Sequence, residues 1–185
     1  MKILIVSGFL GAGKTTFIKR LARNVDQRFA ILENEYGAAG IDGARLGQNR
    51  QGTQKNVWEM TEQCICCIGK KDFAASVLTI ANVVDPEYLI VEPTGVGSLA
   101  RIIENLRQIE YERIQLLSPV TIVDVYSYRR YMAEYPELYQ DQIRSADTII
   151  VSKTEACQAE ENSASRNFCR KLTRRQKSSR IMHPR

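Results

Sequence analysis

The sequence predicts an α/β fold, a mostly parallel sheet with helices on both faces. Three observations predict it. Short apolar runs recur along the chain, at Ile3 to Val6, Phe29 to Leu32, Tyr88 to Val91, Pro119 to Val125 and Thr148 to Val151. They are continuous rather than alternating, as strands buried on both faces are. Segments with apolar residues at helical spacing separate them, and the first run leads directly into a glycine-rich loop, Gly8-Phe9-Leu10-Gly11-Ala12-Gly13-Lys14-Thr15-Thr16. That loop fits G-x-x-x-x-G-K-[ST] and has the strand-loop-helix context the pattern requires, so the fold class is the P-loop NTPase type.

The elements follow in order. Lys2 to Ser7 forms the first strand, and a helix runs from the loop to about Asn24. Phe29 to Leu32 is a buried strand that delivers Glu33-Asn34-Glu35-Tyr36-Gly37 to the end of the sheet where such folds bind ligands. Ala38 to Asn56 is glycine-rich with little apolar periodicity and is expected to be a long mobile loop, a feature uncommon without a functional reason. Val57 to Met60 reads as a short strand carrying the chain to a cysteine cluster, and Gly69 to Val83 as a helix with Phe73, Val77, Leu78 and Ala81 at helical spacing. Tyr88 to Val91 is a central strand ending in Glu92-Pro93-Thr94-Gly95, and Leu99 to Ile109 a helix with Ile102, Ile103 and Leu106 on one face. Pro119 to Val125 is a strand with Asp124 near its end, to which the sequence assigns no role. A tyrosine-rich helical region extends to about Ala146, and Thr148 to Val151 is a further strand closed by Ser152-Lys153-Thr154-Glu155. Asn167 to Arg175 reads as a helix and Ile181-Met182 as the opening of a last strand. The domain reading is a core over 1–155 and a basic, truncated helix and incipient strand over 156–185.

Composition narrows the function classes. The chain has 185 residues, enough for one domain with a proper core, and no run approaches the length of a membrane span. Its amino terminus enters a strand at once without a cleavable signal pattern, so a cytoplasmic protein with no membrane partner is expected. The net charge of +5 is local: eight of the 26 Lys and Arg, and none of the 21 acids, lie from Arg166 onward, which leaves the body mildly acidic. Without aromatic interleaving or a nucleic-acid module, that tail reads as a solvated helix rather than a nucleic-acid surface.

The phosphate loop defines the first chemistry. Gly8, Gly11 and Gly13 let the backbone turn so that N–H groups face phosphate oxygens, and Ala12, Lys14, Thr15 and Thr16 complete the cradle at a helix amino terminus. Lys14 supplies a point charge for the β and γ phosphates, and Thr15 a hydroxyl for Mg²⁺. Glu92, at the end of a buried strand, stands where an acid holds a Mg²⁺-bound water, and Gly95 can turn an N–H toward the γ-phosphate. The catalytic set expected is therefore Lys14, Thr15, Glu92 and Gly95. Val96 follows Gly95 where a glutamine would orient an attacking water, so hydrolysis should be slow. Ser152-Lys153-Thr154-Glu155 resembles the [NS]-K-x-D signature of GTPases, in which a carboxylate accepts from two guanine N–H groups that adenine does not present. Glu155 is one methylene longer than the usual aspartate.

Cys64-Ile65-Cys66-Cys67 is the second signal. Three thiols in four residues suit Zn²⁺ or another soft transition metal. A turn must bring all three together, since in an extended chain Cys67 faces away from Cys64 and Cys66. The remaining ligand is Glu33, Glu35 or water, which describes a site left open for exchange. A redox cluster and inert buried thiols are the alternatives.

With these motifs in family order, the chain resembles the nucleotide-binding domain of CobW-like GTPases, a group related to HypB and UreG. The resemblance rests on Gly8 to Thr16, Glu33 to Gly37 with Gly40-Ile41-Asp42, Cys64 to Cys67, Glu92 to Gly95 and Ser152 to Glu155. It implies GTP and Mg²⁺ binding, slow hydrolysis, and delivery of a metal ion, zinc or cobalt, to a client metalloprotein, often through a nucleotide-dependent homodimer. Rival expectations are a small P-loop kinase or ATPase with structural thiols and a binding module that turns nothing over. Three departures stand out. Ala38 replaces a glutamate that is an additional metal-ligand candidate, Gln63 replaces a glycine before the first cysteine, and the carboxy-terminal domain of the family is not present in this sequence, which reads as a truncated or frame-altered member.

Overall fold

The computed structural model describes residues 1–24, 27–33, 57–61, 70–155, 159–173 and 180–182. Its elements are β1 (Lys2–Gly8), α1 (Lys14–Asn24), β2 (Phe29–Glu33), β3 (Val57–Thr61), α2 (Lys70–Val83), β4 (Tyr88–Glu92), α3 (Leu99–Arg107), β5 (Gln115–Leu116), β6 (Val120–Asp124), α4 (Tyr128–Glu134), α5 (Pro136–Arg144), β7 (Thr148–Ser152), α6 (Ala159–Thr173) and β8 (Arg180–Met182). The strands form one sheet in the order β3-β2-β4-β1-β6-β7-β8, with β5 beside the start of β1, and the pairs between these strands are all parallel.

The continuous apolar runs have the cause the sequence implied. Ile3, Ile5, Ala30, Leu32, Leu89, Val91, Val123 and Ile149 pack on one face, under helices α2 to α6. Their alternate neighbours Val6, Phe29, Ile31, Ile90, Val120, Ile122 and Ile150 form a second core on the other face, under α1. A strand in this position has no solvent side, so both parities of its residues are predominantly apolar. Helices thus cover both faces, unevenly: among the described elements α1 alone serves the second face.

Two expectations need adjustment, one short strand is new, and the last strand lies where the sequence placed its opening. The tyrosine-rich region is two helices, because Pro136 begins α5 and Tyr135 before it takes a non-helical conformation with φ −134° and ψ 58°. β5 has two residues and no apolar run to announce it. The last helix begins at Ala159, eight residues before the predicted Asn167. The final strand exists as Arg180–Met182 and pairs with β7. The expected mobile loop over Ala38 to Asn56 lies outside the described residues.

Because β1 sits centrally with β4 on one side and β6 on the other, the carboxyl ends of β2, β4, β1, β6 and β7 open on one rim of the sheet. Register sets neighbours there: Glu33 pairs with Glu92 across β2 and β4, and Asp124 with Ser152 across β6 and β7.

Candidate functional site

The phosphate loop leaves β1 at Gly8, whose φ is +145°, and passes through Gly11 at +70° and Gly13 at +99°. These are left-handed values that side chains resist, so the glycines are required by the turn. Gly8 has a second constraint, since a Cβ there would lie 2.6 Å from the Ile122 carbonyl oxygen on β6. The Ala12 N–H donates to the Phe9 carbonyl at 3.1 Å, which closes the turn, and the Phe17 N–H donates to Gly13 at 2.9 Å as α1 begins. The first-turn amides of α1 have no acceptor within the helix and open toward the loop's mouth.

Thr15 and Glu92 meet across this mouth. The Thr15 hydroxyl donates to the Glu92 carboxylate, at 3.1 Å to Oε1 and 3.4 Å to Oε2. Lys14 Nζ lies 4.0 Å from the same carboxylate and 3.5 Å from the Phe9 carbonyl. Both charged side chains are about nine-tenths buried. A buried carboxylate and a hydroxyl are hard oxygen donors that fit a Mg²⁺ ion, which typically keeps several waters and takes one or two protein oxygens. Gly95 packs on the loop itself: a Cβ there would lie 2.7 Å from the Leu10 backbone nitrogen.

The segment after β7 is stitched to the same loop. Ser152 Oγ donates to the Ala12 carbonyl at 2.7 Å. Lys153, with φ +60°, donates from Nζ to Asp124 Oδ2 at 2.8 Å. Asp124 also accepts from the Tyr126 N–H at 2.9 Å and from Ser127 Oγ at 2.7 Å. Burial pushes the Asp124 carboxyl up, but Lys153, the Tyr126 amide and Ser127 outweigh it and hold the pKa below its ordinary 3.8. Glu155 and Thr16 are exposed at the rim.

A ring cluster backs the loop. Phe9, 2% exposed, lies 4.6 Å from the Tyr131 ring, 5.1 Å from Tyr139 and 5.7 Å from Tyr135, centroid to centroid. Tyr131 also donates from its hydroxyl to the Leu10 carbonyl at 3.1 Å.

The structure therefore brings Lys14, Thr15, Glu92 and Gly95 into contact with one loop and ties Ser152 to it. Glu33 stands at the end of β2 beside Glu92. Glu35, Cys64, Cys66 and Cys67 lie outside the described residues. Among the described residues no three His, Cys, Asp or Glu are grouped to hold a metal ion. The sequence assigns no role to Asp124, Gln142 or Tyr131: Asp124 stands out only as the acid ending an apolar strand, and Gln142 and Tyr131 lie in polar helices that give them no signal.

The model of the CobW/HypB/UreG nucleotide-binding domain matches residues 2–180. The chain belongs to this family. Among curated relatives, the zinc chaperone YeiR of Escherichia coli is 31% identical over 163 residues, covering 86% of this chain and 48% of YeiR. The zinc chaperone CobW of Pseudomonas aeruginosa is 28% identical, covering 86% and 50%. The chain thus spans about half the length of the curated relatives it matches. Zn(II)-bound YjiA GTPase from E. coli superposes with a TM-score of 0.66 at 20% identity over all of this chain and 57% of YjiA. The hydrogenase maturation factor HypB from Archaeoglobus fulgidus gives 0.62 at 16%, over all of this chain and 81% of HypB. These two establish the CobW/HypB/UreG type of P-loop fold. No helix among the described residues is long and apolar enough to cross a membrane.

Proposed function

We propose that this chain binds GTP with Mg²⁺, hydrolyses it slowly, and uses the nucleotide state to deliver a transition metal ion, zinc or cobalt, to a client metalloprotein. The observation that carries the reading is the buried triad at the loop's mouth, in which the Thr15 hydroxyl and Lys14 ammonium converge on Glu92. Mg²⁺, when bound, neutralises charge on the β and γ phosphates. Thr15 and Glu92 would hold it, directly or through water. Lys14 exchanges Glu92 and Phe9 for phosphate oxygens. The residues from Gly8 to Thr16 cradle the phosphates through backbone N–H groups.

Hydrolysis is slow because Val96, 46% exposed, stands where an amide or carboxylate would have to orient water. Glu155 reads guanine from a segment that Ser152 and Lys153 fix to the loop and to Asp124.

The cargo metal is assigned to Cys64, Cys66 and Cys67 with Glu33 or Glu35. Cys64 follows by three residues Thr61, the end of β3 and the register partner of Glu33, which itself pairs with Glu92. That adjacency supports coupling between the thiols and the nucleotide. The family resemblance adds a nucleotide-dependent homodimer and cytoplasmic work. Residues 1–155 form the GTPase core in this reading, and 156–185 its basic appendage.

Titrating Zn²⁺ into the chain with GDP and with a non-hydrolysable GTP analogue tests the coupling, and a metal-loaded hydrolysis assay tests turnover. Different Zn²⁺ affinities and slow GTP-selective hydrolysis are expected. Equal affinities remove the coupling, and ATP turned over as readily as GTP removes the base reading.

A further inference from the structure

We propose that Gln142 is a positioning residue that holds the turn after Glu92 against the phosphate loop and thereby sets how well the protein tells a nucleoside triphosphate from a diphosphate. The proposal rests on the nucleotide-binding reading above and concerns a residue outside its cradle.

Gln142 lies on α5, 1% exposed. Its side-chain nitrogen donates to the Gly95 carbonyl at 3.0 Å and to the Gly97 carbonyl at 2.9 Å. Both donors of one amide are thus spent on one turn, which the Gly97 N–H closes by donating to the Thr94 carbonyl at 3.0 Å. The acceptor oxygen of Gln142 is buried with no hydrogen-bond partner among the described residues. An unpartnered buried oxygen is destabilising, so packing alone does not account for an amide here. The backbone of the same residue is anchored as well, since its carbonyl accepts from Thr121 Oγ1 of β6 at 2.8 Å. Gln142 is therefore a fixed fork on a fixed post.

What the fork holds matters because of where Gly95 sits. Its α-carbon is pressed on the Leu10 backbone nitrogen so closely that a methyl group would fall 2.7 Å away. Three residues upstream, Glu92 accepts from Thr15. A diphosphate is gripped by the glycine loop and the start of α1, which Gln142 does not touch. The terminal phosphoryl alone calls on the Gly95 N–H. A turn already held in place binds that phosphoryl without first being ordered, whereas a released turn must be ordered by the ligand.

Gln142→Met keeps the approximate volume and removes the fork. Affinities of the full chain for GDP and for GMPPNP, each with Mg²⁺, are measured by titration calorimetry. The expected result is a preference for GMPPNP over GDP reduced on the order of tenfold, the size of effect two lost hydrogen bonds allow. Equal weakening of both nucleotides, the mark of a merely structural residue, overturns the proposal, as does an unchanged ratio. A wild-type chain that binds neither nucleotide overturns the underlying reading too, so the two failures are distinguishable. Hydrogen exchange on the wild type decides the matter if the variant does not fold. Replacing GDP by GMPPNP should slow exchange together in 94–97 and in the turn of α5 around Gln142, and slowing in 94–97 alone rejects the fork.

Discussion

Asp124 shows how a single buried carboxylate can tie together the segments that end two neighbouring strands. Its carboxylate takes three donors from two neighbouring segments, and the Lys153 it holds stands in a left-handed conformation at φ +60° that a lysine does not adopt without support. Its lowered pKa has a definite consequence for stability. Below the ordinary value of 3.8, the unfolded chain binds a proton at Asp124 while the folded chain does not, so folding weakens as the pH falls through the lowered pKa. Above about 3.8 the full contribution is present. Asp124→Asn should therefore cost about 2 kcal/mol at pH 7, the range for hydrogen bonds to a charged group. Urea unfolding from pH 2.5 to 7 should show the two proteins converging only on the acid side, and a constant difference at every pH would contradict the assignment. None of this was legible in the sequence, where a lone acid ending a strand has many explanations. Lys14, Thr15 and Glu92 were legible because their spacing to glycines and to a strand end leaves few others.

At the scale of elements, legibility followed burial. β1, β2, β4, β6 and β7 are buried on both faces and so wrote themselves as apolar runs. β5 pairs through two residues, and α6 starts with a stretch in which Ser165 is the first buried one among the described side chains. Neither left a pattern. The break between α4 and α5 was announced only by Pro136, yet it is what brings Tyr131 and Tyr135 together beside Phe9. The hairpin of α4 and α5 thus acts as a buttress for the phosphate loop, by ring contact and by the Tyr131 hydrogen bond to Leu10. The two contributions can be separated. Tyr131→Phe keeps the rings and should cost about 1 kcal/mol. Phe9→Ala empties a buried ring site and should cost about 3–5 kcal/mol. Denaturant midpoints measure both, and similar losses for the two variants would mean that the hydroxyl contributes as much as the buried ring and that the ring cluster does not dominate.

For the molecule as a whole, the question is whether the last helix and strand share the stability of the sheet that carries the site. α6 crosses from β7 to β8, and its Cys169 is fully buried in the core on the sheet face that α2 to α6 cover. The Tyr128 and Tyr139 rings lie 5.1 and 6.4 Å from Phe168 on the same helix, so α6, α4 and α5 are packed as one layer. Burial pushes the Cys169 thiol up to about 12, which keeps it protonated and unreactive at neutral pH while the helix is seated. Labelling at Cys169 therefore requires α6 to leave the sheet. If the layer is one cooperative unit, the free energy of that opening equals the free energy of global unfolding. Thiol labelling followed peptide by peptide by mass spectrometry, under conditions where closing is faster than labelling, should give the same value and the same urea dependence as unfolding of the intact chain. Labelling of Cys169 far faster than this predicts would show that α6 and β8 detach from a sheet that remains folded. The nucleotide site would then depend on 1–155 alone.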